Sequence, residues 1–249
     1  TNAHVIEAAS AAKGSLYVFS IDQTKYEVRV VGGDSFYDIA VLEFVTEPGK
    51  EISIVKFANR EARLGEQVFA IGNPLGEYPY TVSEGIISAK NRVRNGVTGK
   101  FGFVQTTATV IWGNSGGPLV DSKGDVLGIN SQIAFATRGT EMIWQPQINF
   151  ALEAQLSKRL VDDIIDNQGL VKRAWIGLEI VQRYDYNSWG EASGMPWELR
   201  DTLPVINKVV PNSPAAAVFG NKLGSVITSV NGFKTRNLQE VLGEFEKVK

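Results

Sequence analysis

The chain contains no cysteine and only one histidine, His4, among 249 residues. The first absence excludes disulfide frameworks, thiolate zinc sites and cysteine nucleophiles. It leaves the redox compartment open, because a cysteine-free protein suits an oxidising and a reducing space equally. An excess of one charge is also lacking: 25 Lys and Arg stand against 27 Asp and Glu, for a formal net charge of -2. Without a clustered basic excess the pattern argues against nucleic acid as a partner, since phosphate binding needs such clusters. No run approaches the ~18 uninterrupted apolar residues that span a bilayer. The chain opens at Thr1-Asn2-Ala3-His4 with neither an initiator Met nor a charged leader, and we expect it to be a piece of something longer.

What is present, at about 150 residues per domain, fits one large or two modest domains with real cores. From Ser15 to Gln132 short β-type runs alternate with turn residues. The runs are Leu16 to Phe19, Tyr26 to Val31, Ile39 to Phe44, Gln67 to Ile71, Thr81 to Ser88, Gly102 to Thr106 and Val126 to Ile129. Between them lie Gly32-Gly33, Gly72-Asn73-Pro74, Asn95-Gly96 and Lys123-Gly124, and the whole predicts a barrel or sandwich. From Ala151 to Ile165 the period becomes helical, with Leu152, Leu156, Leu160, Ile164 and Ile165 on one face. Asn167-Gln168-Gly169 then supplies a stop and a domain boundary. Beyond about Val171 a smaller unit is predicted. Its strands are Trp175 to Ile180, Pro204 to Val209 and Ser225 to Val230, its helices open at Ser213-Pro214 and Asn237, and Gln182 to Leu203 reads as a long loop.

The segment Gly113-Asn114-Ser115-Gly116-Gly117-Pro118-Leu119 places a serine between glycines, so its hydroxyl can stand out of a tight turn while backbone N-H groups converge on one oxygen. In a chain with 25 glycines such a turn is weak evidence alone. A serine nucleophile needs a proton acceptor, and His4 is the one imidazole on offer; taken alone, a lone histidine reads as an ordinary surface or core residue. Chain order separates the known triads. The α/β-hydrolase order needs a His after the Ser, and the subtilisin order needs an Asp before the His; neither exists here. The order His, Asp, Ser of chymotrypsin-like double barrels remains. Asp38, just ahead of the apolar run Ile39-Ala40-Val41-Leu42, suits the acid. Asp34 competes, but beside Gly33 it suits a turn cap better. Glu61, Glu66 and Glu84 read as solvated charges.

Five stretches, in order, resemble the HtrA or Deg family of serine proteases: Thr1-Asn2-Ala3-His4-Val5-Ile6, Asp38-Ile39-Ala40-Val41-Leu42, Ala70-Ile71-Gly72-Asn73-Pro74-Leu75-Gly76, Gly113 to Leu119, and Gly128-Ile129-Asn130-Ser131. The resemblance implies a mainly β chain, with a chymotrypsin-like double β-barrel over 1-168 and a smaller α+β PDZ domain over 169-249. It also implies that the opening strands of the first barrel lie upstream of Thr1, and the last PDZ strand beyond Lys249. It makes His4 the general base, Asp38 its orienting acid and Ser115 the nucleophile, with the N-H groups of Gly113 and Ser115 as the oxyanion hole. Thr109, Ile111, Trp112, Ile129, Asn130 and Ser131 would shape the substrate pocket. Trp175-Ile176-Gly177-Leu178 would hold a peptide terminus, with Asn212 to Ala217 and Val226 to Gly232 matching the family's PDZ more clearly.

Some residues depart from the family pattern. Thr107, Ile111 and Trp112 stand where relatives have Asp, Asn and Pro, and Ser225 replaces a usual Asp. Trp112 reads equally as packing or as a pocket wall. Thr109 stands six residues before the nucleophile, where trypsin-like enzymes carry Asp, so no acid is placed there for a substrate Lys or Arg and small or medium aliphatic residues are expected. Ala134 to Gln147, with Arg138, Met142 and Trp144, reads as a loop longer than its family counterpart. The expectation is an ATP-independent serine endopeptidase of protein quality control. It would need no metal or cofactor, act on unfolded polypeptides and bind peptide C-termini. Relatives suggest a trimer-based homo-oligomer and the bacterial periplasm or cell envelope. The alternatives are a catalytically silent peptide-binding scaffold, which the intact His4, Asp38 and Ser115 weigh against and the Ile111 and Trp112 departures keep open, and a small-ester hydrolase.

Overall fold

A computed structural model describes residues 1-11, 14-49, 51-92, 102-138, 141-173, 175-184, 202-220, 222-235 and 237-246. The chain divides into two compact units, one made of Thr1–Arg94 and Gly102–Lys172 and a smaller one centred on Arg173–Lys249.

The first unit opens with a helix, α1 (Ala3–Ala11), that the β-type reading of this region did not anticipate. Its alanines are strong helix formers, and Ile6 is its buried anchor. Three antiparallel strands follow in the order β1 (Leu16–Phe19), β2 (Lys25–Asp34) and β3 (Ile39–Phe44). A bulge lies between Val30 and Gly32. There the backbone of Gly32 passes so close to Gly169 that a Cβ would overlap its Cα, a demand only glycine meets.

Six more strands close into a barrel: β4 (Gln67–Gly72), β5 (Thr81–Arg92), β6 (Phe103–Thr106), β7 (Pro118–Val120), β8 (Val126–Arg138) and β9 (Glu141–Glu153), in the order β4-β5-β6-β9-β8-β7. Val68, Ala70, Ile87, Val104, Leu119, Leu127 and Ala151 fill its interior. Val68 and Ala70, two residues apart in β4, share a face, as the period of two along a strand requires. The chain is mainly β as expected, but the described residues form one closed barrel and an open three-stranded sheet rather than two barrels. Three strands cannot complete a barrel wall.

Two other expectations are corrected. Ala134 to Gln147 is not an irregular loop: it belongs to a hairpin of β8 and β9, paired out to Arg138 and Glu141. The helix α2 (Ala154–Asp166) starts three residues later than its apolar period suggested, because Ala151, Leu152 and Glu153 are claimed by pairing with β8. Glu153 caps α2, its side chain accepting from Leu156 N at 3.3 Å. Leu160 and Ile164 are buried, while Ile165 is exposed.

An ion-pair network ties the segment before β4 to the turn after β7. Arg60 Nη2 lies 2.6 Å from Glu66 Oε1 and 2.8 Å from Asp121 Oδ2. The Arg60 bonds, outweighing burial, hold the Glu66 carboxyl below its ordinary value. Burial alone would raise Asp121, but the N-H groups of Lys123 and Asp125 together with Arg60 bring it below normal. With both folded values below the unfolded ones, the unfolded chain binds more protons in acid. The stabilisation is complete at neutral pH and is lost as the pH falls from about 5 towards about 3. Denaturant unfolding of an Arg60→Met variant across that range should show a shallower acid dependence than the parent chain.

In the second unit β10 (Leu178–Tyr184) pairs antiparallel with β11 (Thr202–Val209). The predicted loop from Gln182 to Leu203 therefore loses both its ends to strands. Tyr186, Trp189 and Trp197 lie outside the described residues. Two short helices, α3 (Ala216–Phe219) and α4 (Leu238–Glu246), and a small hairpin complete the unit. The hairpin joins β12 (Ser229–Val230) to β13 (Phe233–Lys234) through Asn231-Gly232, both at positive φ (51° and 84°), the geometry of a two-residue primed turn. Val205, Ile206, Val230 and Val241 are its buried core. The predicted strand from Trp175 begins only at Leu178, and that from Ser225 pairs only at Ser229 and Val230, apart from an isolated bridge between Val205 and Val226.

Candidate active site

His4 sits in the first turn of α1, facing the turn that joins β2 to β3. Asp34 caps that turn, its carboxylate accepting from Tyr37 N at 3.2 Å and Phe36 N at 3.4 Å. Asp38 closes it in the left-handed region, at φ 59°, a conformation that Asp tolerates better than most residues. The Asp38 side chain is 9% exposed and the His4 side chain 47%. The two Asp38 oxygens have separate partners. Oδ2 lies 2.7 Å from His4 Nδ1, and Oδ1 accepts the His4 backbone N-H at 2.9 Å. The carboxylate thus places the ring proton on Nδ1 and leaves the Nε2 lone pair facing away, as a general base requires.

Two further residues hold Asp38, and neither role was read from the sequence. Asn2, fully buried, donates its amide to the Asp38 carbonyl at 2.8 Å. Ser131 donates its hydroxyl to Asp38 Oδ2 at 3.3 Å. Both residues lie inside the motif stretches, but nothing in those stretches signals that their side chains converge on one acid.

The serine turn is shaped by contacts that exclude side chains. Gly113 is at φ 99°, with its Cα against the Asn73 carbonyl, and Gly116 is at φ 81°. A Cβ on Gly116 would overlap Thr1 Oγ1 and come within 2.9 Å of Asn2 N. The residue after Ser115 is therefore in contact with the two residues that begin the His4 segment. Replacing Gly116 with Ala should cost about 3 kcal/mol, from the left-handed backbone and the overlap together. A urea midpoint unchanged from the parent would refute that packing.

The N-H groups of the turn alternate in use. Asn114 N-H donates to the Ile111 carbonyl at 3.0 Å, whereas those of Gly113 and Ser115 donate to no backbone oxygen among the described residues. Among these residues, Asp38 is also the only hydrogen-bond partner of the His4 ring. The bridge from His4 to Ser115 is thus open here, as such bonds often are without substrate.

The residues expected to line the pocket fall into two groups. Thr109, Ile111 and Ile129 are half-buried, and Trp112 is 75% exposed, which removes the packing reading of Trp112. Asn130 and Ser131, also expected at the pocket, have buried side chains. Asn130 braces the serine turn, accepting from Gly116 N at 2.8 Å and donating to Gly117 O at 2.9 Å, while the Ser131 hydroxyl is committed to Asp38. Among the described residues no group of three or more His, Asp or Glu is placed to hold a metal ion.

In the second unit Trp175 is largely exposed, Ile176 and Leu178 are half-buried, and Gly177 is held at φ 81° against the Ser213 side chain. The carbonyls of Ile176 and Gly177 accept from Ala215 N at 2.9 Å and Val210 N at 2.8 Å. Ile176, Leu178, Ile206, Phe219, Val230 and Phe245 line a cavity of about 480 Å³.

Residues 1–129 match the trypsin-like peptidase domain. The chain belongs to that family. It is similar to the periplasmic serine endoprotease DegP of Salmonella typhimurium, at 35% identity over 240 residues, covering 93% of this chain and 45% of DegP. It is similar also to the serine endoprotease DegS of the same species, at 34% over 256 residues, covering 100% of this chain and 66% of DegS. Among solved structures, the HtrA-type protease AlgW with a decapeptide matches with a TM-score of 0.71 and 28% identity, covering 100% of this chain and 71% of AlgW. The chain thus spans about half to two-thirds of the curated relatives' length.

Proposed function

We propose that this chain is the catalytic part of an HtrA-type serine endopeptidase, with Ser115 as nucleophile, His4 as general base and Asp38 as orienting acid. The observation that carries the reading is the 2.7 Å contact of Asp38 Oδ2 with His4 Nδ1, on a segment that Gly116 packs against. Ser115 Oγ attacks the scissile carbonyl carbon while His4 Nε2 takes the hydroxyl proton. The carbonyl oxygen, now an anion, is stabilised by the N-H groups of Gly113 and Ser115. His4 returns the proton to the leaving amine as the C-N bond breaks. Water then hydrolyses the acyl-enzyme through the same base.

Unfolded polypeptides are the proposed substrates, in a quality-control role in the periplasm, since the DegP relatives are named periplasmic. Residues 169-249 are proposed to be a PDZ domain, with Trp175 to Leu178 receiving a peptide C-terminus. The AlgW structure with a bound decapeptide supports a peptide ligand. Labelling with a fluorophosphonate, alongside digestion of denatured casein, tests the reading. Stoichiometric labelling and casein turnover support it. An unreactive protein that still binds unfolded chains would establish the silent scaffold instead, and turnover of short acyl esters alone would establish an esterase.

A further inference from the structure

The loop that follows β4 combines backbone strain with exposed apolar surface. Leu75 lies at φ 58° and Tyr80 at φ 62°, left-handed positions that bulky side chains seldom take because the Cβ crowds the following carbonyl. Such positions persist only where the surroundings fix them, and they gather at functional sites. Here the fixing groups are defined. Leu75 N-H donates to the Trp112 carbonyl at 2.7 Å and Asn73 N-H to the Gly113 carbonyl at 3.1 Å, which fastens the loop to the turn that holds Ser115. At its other end the Tyr80 hydroxyl donates to Ser20 O at 2.9 Å, in the turn between β1 and β2. Trp112, Leu75 and Tyr78 nevertheless stay more than half exposed. From Asn73 to Tyr80 the one charged residue is Glu77. Single exposed apolar residues are ordinary, but several held together beside a reactive centre mark a contact surface.

Barrel topology puts this surface on a defined side of the nucleophile. β7, into which the serine turn leads, pairs with β8 along one edge and with β4 along the other. Ile129 of the expected substrate pocket belongs to β8, whereas the loop runs out of β4. A chain whose side chain before the scissile bond lies on the β8 flank therefore leaves Ser115 across the β4 flank. The peptide joining Trp112 to Gly113 stands at that crossing. Its C=O and N-H point in opposite directions because the bond is trans, so with the Trp112 carbonyl turned to Leu75 the Gly113 N-H faces away from the loop. Trp112 thus lies between the loop and a proposed oxyanion donor. Side chains of an extended chain alternate faces. With the residue before the scissile bond facing the barrel, the first residue after it faces away, and the second faces the barrel again about 7 Å further on.

We propose that Trp112, Leu75 and Tyr78 form an apolar rim on the leaving side of Ser115, which takes a large apolar or aromatic side chain from the second residue after the scissile bond. This rests on the endopeptidase reading above and adds a specificity contact to it. A contact with the leaving fragment acts on acylation and is gone before the acyl-enzyme is hydrolysed.

The test uses peptides of one fixed sequence up to the scissile bond, with Phe, Leu, Ala or Asp as the second residue after it. kcat/KM is about tenfold higher with Phe than with Ala, from burial of a ring against the rim, and lowest with Asp. The same replacements at the first residue after the bond change kcat/KM by less than about threefold. An acyl-enzyme formed from an ester of the same acyl part is captured about tenfold better by alanyl-phenylalanine amide than by alanyl-alanine amide, whereas its hydrolysis by water is independent of the rim. In Trp112→Ala and in Leu75→Gly both preferences fall to about twofold or less. Glycine accepts the positive φ at position 75, so the second variant removes the side chain without adding strain. A Phe-to-Ala ratio near one in the parent chain, with stoichiometric fluorophosphonate labelling, overturns the rim and leaves the endopeptidase standing. A Trp112→Ala variant that keeps the second-residue preference but loses selectivity for the residue before the bond assigns Trp112 to the substrate pocket and also overturns the proposal. Failure of labelling together with cleavage of every peptide overturns both readings.

Discussion

Replacing Ser115 with Ala is expected to lower kcat on a peptide substrate by about a millionfold, the loss seen when the nucleophile of a triad is removed. The effect is confined to chemistry. Ser115 is half-buried, and its turn is held by other groups: the Gly116 and Gly117 bonds to Asn130, the Asn114 bond to Ile111, and the close approach of Gly116 to Thr1 and Asn2. Removing one hydroxyl leaves all of these in place, so the urea midpoint should shift by less than about 1 kcal/mol in stability. Fluorophosphonate labelling should vanish with the turnover. The remaining rate should still exceed that in water, because the Gly113 and Ser115 N-H groups and the binding surface survive. Retained labelling in the Ala variant would place the nucleophile elsewhere.

Asp38→Asn is expected to lower kcat about ten-thousandfold with little change in KM, and the structure gives the reason atom by atom. Oδ1 of Asp38 accepts the His4 backbone N-H at 2.9 Å, a group that can only donate. The oxygen of an Asn side chain must therefore stay at that position. Its NH₂ then replaces Oδ2, 2.7 Å from His4 Nδ1, where it donates to the ring. The imidazole proton is driven to Nε2, so the ring presents a donor to Ser115 where an acceptor is needed. The size and shape of the side chain barely change, and Asn2 still bonds the carbonyl at position 38, so the turn should persist. Steady-state kinetics separate the outcomes: a fall in kcat alone supports the orienting role, and a kcat within about tenfold of the parent excludes it.

Much of the proposed site was legible in the sequence because it depends on identity and order. With one histidine in the chain, the choice of base was forced, and the order of His4, Asp38 and Ser115 left one known arrangement. The short apolar runs of β3, β4 and β8 likewise showed where strands start. What escaped depends on which atoms meet across the fold. Asn130 and Ser131 were grouped with the pocket as part of a motif, which does not show that the Asn130 backbone bonds Gly116 and Gly117 and the Ser131 hydroxyl bonds Asp38. The α1 helix carries His4, the proposed base, yet its short alanine-rich stretch has too weak a period to stand out. The outer β8–β9 hairpin was read as a loop although its strands are neighbours in sequence, because Ala134-Phe135-Ala136 and Met142-Ile143-Trp144 are apolar runs without the alternation that marks a half-buried strand.

The account rests on His4 and Ser115 acting on one substrate atom group, although the bridge between them is open in this structure. A crystal structure of the protein carrying a peptidyl phosphonate adduct tests this most directly. The account predicts phosphorus bonded to Ser115 Oγ, His4 Nε2 within about 3 Å of an adduct oxygen, and the phosphoryl oxygen within about 3 Å of the N-H groups of both Gly113 and Ser115. An adduct on another residue, or one on Ser115 with the His4 ring beyond about 5 Å, would contradict it.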